Sequence, residues 1–198
     1  DESVFLVIGQ NIKQGLLPYK DFFDHKLPAI YLYFFLQSLI FGSKVILYKI
    51  FYLLFYLLYI FLIYQTAKQY RISAYWSVIF FLVISLIFEG EYMLAEPFVA
   101  FFVLLSLYLR SLKNNSMIYL SSMACGIALL FKQSAFISVL IVMIITITNA
   151  KSLSKVLRFT LGFFLPLVAF FVYLVATNTI DEAYNQIFVY NLIYYPKE

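Results

Sequence analysis

The sequence predicts an all-α polytopic membrane protein, with about six transmembrane helices following an extracytoplasmic first loop that carries amphipathic helices. Three observations predict it. The 198 residues are 64% hydrophobic and 12% charged, with a mean hydropathy of +0.91; a soluble domain carries about 25% charged residues. Apolar runs recur along the chain at lengths near those of spanning helices. The charges are sorted, with acids and bases falling in alternate connections between the runs.

This divides the chain into three parts. Residues 1–43 form the extracytoplasmic loop, 44–177 the helix bundle, and 178–198 an extracytoplasmic segment leading to further chain. In the loop, residues 3–14 read as a short amphipathic helix. Phe5, Ile8 and Ile12 recur at helical spacing against polar Gln10, Asn11, Lys13 and Gln14. Gly15 stops it and Pro18 forbids continuation. A helix of this kind lies along a membrane surface rather than across it. Asp1 and Glu2 precede its N-terminus, where unpaired amides and the dipole favour negative charge. Capping alone would account for them.

The apolar runs fall at about 44–64, 74–88, 96–109, 117–131, 135–148 and 156–177. Several are shorter than the roughly 20 residues of a spanning helix, so their helices extend into the flanks or tilt. Residues 131–134 read either as an outer turn between two short helices or as a break in one long helix.

Orientation follows from the connections. With residue 1 outside, the inner loops hold Lys68, Arg71, Arg110, Lys113, Lys151, Lys155 and Arg158 and no acid. All ten acids then lie outside or at the outer boundary. The reverse topology would place those seven bases outside, against the positive-inside rule. The formal charge of +4 is therefore spread over loops rather than gathered on one face, which excludes a nucleic-acid surface.

Polar residues near the runs each have two readings. Glu89, Glu91 and Glu96, with Pro97, form either a capped outer turn or part of a site facing an outer cavity. Lys132 is either an interface anchor or a contact for a lipid phosphate. Tyr48, Tyr52, Tyr56 and Tyr59 share one helical face, for packing or for an isoprenoid tail. Tyr184, Tyr190, Tyr194 and Tyr195 read as interface residues. His25, the chain's one histidine, stands between Asp24 and Lys26, with Asp21 one turn earlier. Carboxylates and imidazole suit several divalent ions, but one nitrogen ligand does not make a metal site and a solvated loop explains the cluster equally. No cofactor is required. Cys125 lies in an apolar run and, as the one cysteine, forms no intrachain disulfide. Gly-rich phosphate loops, zinc-type spacings and solenoid repeats are absent from the sequence.

The order Asp1-Glu2, amphipathic helix, Gly15-x-x-Pro18-Tyr19-x-Asp21, then Asp24-x-Lys26-x-Pro28 resembles the first extracytoplasmic loop of the glycosyltransferase-C superfamily. The likeness is greatest to glycosyltransferase family 39, the protein O-mannosyltransferases and aminoarabinose lipid A transferases. Where that family usually has a second proline after the lysine, this chain has Leu27. The resemblance implies a spanning helix before residue 1, and more spans, often with an extracytoplasmic C-terminal domain, beyond residue 198. It implies transfer of a sugar from a polyprenyl-phosphate donor to a glycan, lipid or protein acceptor at the outer face of the cytoplasmic membrane. It also implies roles: Asp1 as base with Glu2 beside it, Lys26 and then Lys132 as contacts for the donor phosphate, Asp24 in the same substrate-binding loop, and Glu96 orienting acceptor or carrier.

The chemistry agrees with these residue types. Transfer needs a base for the acceptor hydroxyl and a cation for the departing phosphate. Two rivals remain, a transporter or flippase for a lipid-linked substrate and a non-catalytic assembly subunit. A transporter would place acids or broken helices near mid-membrane, often in two related halves, whereas these acids gather at one face.

Overall fold

The computed structural model describes every residue except 1, 89, 91, 113, 149–151 and 195–198. The described residues are helical and contain no strand. In order they form α1 (Glu2–Lys13), α2 (Pro28–Phe41), α3 (Val45–Gln69), α4 (Ala74–Ile87), α5 (Ala95–Ser111), α6 (Asn115–Phe131), α7 (Ala135–Thr148), α8 (Leu153–Thr177) and α9 (Ile180–Tyr184), then a π-helical segment, Asn185–Tyr194.

α3 and α8, each 25 residues, are long and apolar enough to cross a membrane. Helices α4 to α7 run only 14 to 17 residues. α3 continues to Gln69, past the apolar run ending near residue 64, because Thr66 and Ala67 still find buried sites on the bundle. The region around 131–134 is a break between two helices. Lys132 is extended (φ −157°, ψ 137°), and Ala135 N–H returns to the Lys132 carbonyl at 3.1 Å, starting α7 at once.

α1 buries Phe5 and Ile8 as its spacing predicts and leaves Lys13 exposed, together with the apolar Val4 and Val7. α2 differs from an amphipathic helix. Its exposed face is apolar, with Leu32, Leu36 and Ile40 outward, while its buried face joins Ile30, Tyr31 and Phe34 to Gln37 and Ser38. α1 crosses it closely at Gly9, where an added Cβ would lie 2.6 Å from the Phe34 backbone. Ser38 Oγ donates to the Gly9 carbonyl across this contact, 3.1 Å away.

The main core lies at the end of the bundle covered by α1 and α2. There Phe5, Tyr31, Phe34, Tyr48, Met93, Phe98 and Phe131 pack together, with the Phe98 and Phe131 rings stacked at 4.9 Å. Farther along, α6 and α8 approach through Gly126, whose missing Cβ leaves room for the Phe163 carbonyl and the Pro166 ring. Small residues allow such approach where the surrounding medium gives no hydrophobic drive to helix pairing. The α5–α6 pair adds polar links: Ser121 Oγ donates to the Ser106 carbonyl at 2.8 Å, and Ser106 Oγ lies 3.0 Å from Cys125 Sγ.

The tyrosine stripe on α3 is mainly a packing device. Tyr48 donates to the Gly42 carbonyl, Tyr52 to the Gly90 carbonyl, and Tyr56 meets Ser85. Tyr59 alone of the four also lines a groove described below.

Candidate functional site

The connection between α1 and α2 is a knotted turn. Gly15 leaves α1 at φ +94°, and Asp21 Oδ2 accepts the Leu17 N–H at 2.6 Å. Tyr19 then takes a left-handed φ of 70°, a conformation costing a non-glycine residue about 1–3 kcal/mol. Its surroundings hold it there. The buried ring donates to the Lys26 carbonyl at 2.9 Å, and Tyr31 donates to the same oxygen at 3.1 Å. Burial pushes both phenols well above their ordinary pKa, with Asp24 adding to the effect. They remain neutral donors.

Asp24 is buried and turned into this knot. Its Oδ1 accepts the Lys26 N–H at 3.2 Å and lies 3.8 Å from His25 Nδ1. The carboxylate thus fixes the backbone that presents Lys26. Lys26 itself places Nζ 4.5 Å from the centre of the Phe5 ring, a ring of the same core that packs Phe98 and Phe131.

The chain's far end closes over this turn. Gln186 receives the Asp24 N–H at 3.1 Å and donates to the Tyr19 carbonyl at 2.7 Å. Asn191 donates to the His25 carbonyl at 2.8 Å. Tyr190 lies against His25 and Phe23, with centroids at 5.4 and 5.0 Å, so it is a cover for the turn. Tyr184 and Tyr194 are exposed, and Tyr195 lies outside the described residues.

Glu2, in the first turn of α1, does more than cap. Its Oε1 is 3.7 Å from Lys49 Nζ on α3, and Oε2 accepts the Met93 N–H at 3.4 Å in the α4–α5 connection. Three residues beyond Met93, Glu96 pairs with Lys132 at the α6–α7 break. Glu2, Lys26, Lys49, Glu96 and Lys132 therefore share one end of the bundle, where charges of both signs meet. Asp1, the residue the resemblance names as base, lies outside the described residues, as do Glu89 and Glu91. Among the described residues no three metal-binding side chains come together, so the His25 cluster does not assemble an ion site there.

A groove of about 520 Å³ begins at the Glu96–Lys132 pair and runs between α4 and α7 along α5. Its floor is Glu96, Val99, Val103 and Leu107, spaced three and four residues apart as one helix face requires. At about 1.5 Å per residue the floor is roughly 16 Å long. Tyr59, Phe81 and Ser138 form its walls. An apolar trough with charges at one mouth suits an amphiphile with a long hydrocarbon tail and a charged head.

Lys49, Gln186 and Asn191 are not marked by the sequence reading. Lys49 had a usable signal, being a charge inside an apolar run. The amides had none, since nothing in their local pattern marks what they will bond.

Comparison with protein-family models, characterised proteins and solved structures returns no match.

Proposed function

We propose that this chain is part of an integral membrane glycosyltransferase using a polyprenyl-phosphate sugar as donor. The observation that carries the reading is the apolar groove headed by Glu96 and Lys132, with Lys26 over Phe5 and Glu2 on the Met93 amide at the same end. In this reading α3 to α8 are the six spans, the shorter ones tilted or extended by their neighbours, and the Glu96 end faces the extracytoplasmic side of the cytoplasmic membrane. The bases of the opposite connections then face inward.

The prenyl tail lies in the groove and the phosphate meets Lys132 and Lys26. The acceptor hydroxyl attacks the anomeric carbon, the bond from that carbon to the phosphate oxygen breaks, and the polyprenyl phosphate leaves with its charge held by the lysines. Asp1 takes the hydroxyl proton. Glu2 supports it, itself oriented by Lys49 and the Met93 amide. Glu96 positions Lys132 and orients the bound head group, while Asp24 holds the turn that carries Lys26.

The test is a transfer assay with the full-length parent protein, a labelled polyprenyl-phosphate sugar and candidate glycan, lipid and protein acceptors. Transfer that requires the lipid-linked donor supports the reading. Carrier binding without transfer to any acceptor would favour the transporter or assembly-subunit alternatives.

A further inference from the structure

A second groove opens at the other end of α3, and we infer that it holds an anionic glycerophospholipid of the bilayer, acyl chain in the trough and phosphate against Lys68 and Arg71. The inference rests on the bilayer reading and not on sugar transfer.

The trough, about 450 Å³, lies between α3 and α4 and is lined by Leu57, Ile60 and Tyr64 on one side and Tyr75 and Ile79 on the other. Leu57, Tyr75 and Ile79 are exposed, so no other part of the described chain covers it. At its mouth the Tyr64 and Tyr75 rings meet edge to face, 6.0 Å apart. Lys68 Nζ sits over the Tyr64 ring at 4.9 Å, which puts an ammonium directly above a ring that lines the trough.

Arg71 adds a second cation next door. α3 ends in a paired turn, with Ile72 N–H bonded to the Ala67 carbonyl at 2.9 Å and Arg71 N–H to the Lys68 carbonyl at 3.1 Å. This geometry forces a left-handed residue just past the helix end, normally glycine. Here it is Arg71, at φ 58° and exposed. A residue that would be easier as glycine is instead an exposed cation three residues beyond Lys68. No acid occurs in the sequence between Asp24 and Glu89, so the α3–α4 turn has no carboxylate of its own to neutralise the two cations. A net negative head group complements them; a zwitterionic one does not.

The chain's one tryptophan, Trp76, is exposed in the first turn of α4 beside Tyr75, and it reports on this site. The protein in zwitterionic vesicles is given a minor fraction of brominated phosphatidylglycerol or, separately, brominated phosphatidylcholine, and Trp76 quenching is read. Each cation near an anionic lipid surface contributes about fivefold in affinity, so quenching by the glycerol lipid should report an enrichment of at least that size. The double variant Lys68→Gln/Arg71→Gly should lose the difference while its melting temperature holds, since glycine suits the left-handed turn. Equal quenching by the two lipids in the parent protein would overturn the inference, as would a preference that survives in the double variant. No quenching by either lipid would overturn it together with the bilayer reading.

Discussion

The two ends of the bundle treat charge differently. At the Glu96 end, lysines meet carboxylates: Glu2 with Lys49, Glu96 with Lys132. The turn beside them is tied down by Tyr19, Tyr31, Gln186 and Asn191. At the Arg110 end the sequence supplies bases without acids. Lys68 rests on a ring and Arg110 donates to the Ile145 carbonyl at 2.8 Å. Exposed ion pairs contribute little stability, typically 0–1 kcal/mol, so the exposed Glu96–Lys132 pair does not explain itself as a fastener. In the proposed reading, the apposed charges beside the apolar groove form the site, and the bases of the other end are anchors facing an anionic leaflet.

The sharpest way to break this contrast is to ask whether the ends face opposite sides. Cysteines placed at Asn11 and Asn185 should react with a membrane-impermeant thiol reagent in intact cells, and cysteines at Asn114 and Ser152 should not. Labelling of the second pair without lysis reverses the orientation.

Next in size is the loss expected from the base. In the intact parent protein, Asp1→Asn keeps shape and retains N-capping, which asparagine performs as well as aspartate. It cannot take a proton, a role worth about a hundred- to ten-thousand-fold in rate. Transfer should fall by at least the lower figure with the melting temperature unchanged. A parental rate would make Asp1 a cap.

The helix class was legible in the sequence because it is written in local signals. Spacing of Phe5 and Ile8 marked α1, Gly15 and Pro18 ended it, and the run lengths marked the bundle. The sorting of acids to one set of connections also anticipated a common end for Glu2, Lys26, Glu96 and Lys132. The sequence reading took the region of α2 for amphipathic. That fails because the exposed face of α2 is apolar and its polar side chains, Gln37 and Ser38, are on the buried face. The Glu2–Lys49 pair and the closure by Gln186 and Asn191 join residues far apart in the chain, and no local pattern encodes a distant partner. The groove was invisible for the same reason. Its floor on α5 has helical spacing, but only the separation of α4 from α7 makes that face a trough.

Packing gives a smaller effect that tests the bundle rather than the site. Gly126→Leu would drive a side chain into the Phe163 carbonyl and the Pro166 ring; overpacking of this kind costs about 1–3 kcal/mol. Thermal unfolding in detergent should show it, and an unchanged midpoint would mean that α6 and α8 are less closely apposed. The smallest effect is expected from Ser121→Ala. It removes interhelical hydrogen bonds between α5 and α6, for which about 0.6 kcal/mol is typical in membrane bundles. A loss of several kcal/mol would give that polar cluster a larger part than packing.

The most direct measurement compares one lysine from the site with one base from the other end. Carrier affinity is measured for the parent protein, for Lys132→Gln and for Arg158→Gln, using polyprenyl phosphate in mixed micelles at one salt concentration. A hydrogen bond to a charged partner contributes about 1.5–3 kcal/mol, so Lys132→Gln should weaken binding by roughly tenfold or more, and Arg158→Gln should leave it unchanged. Equal affinity in all three proteins, or an equal loss in both variants, would contradict the assignment of the Glu96 end as the site.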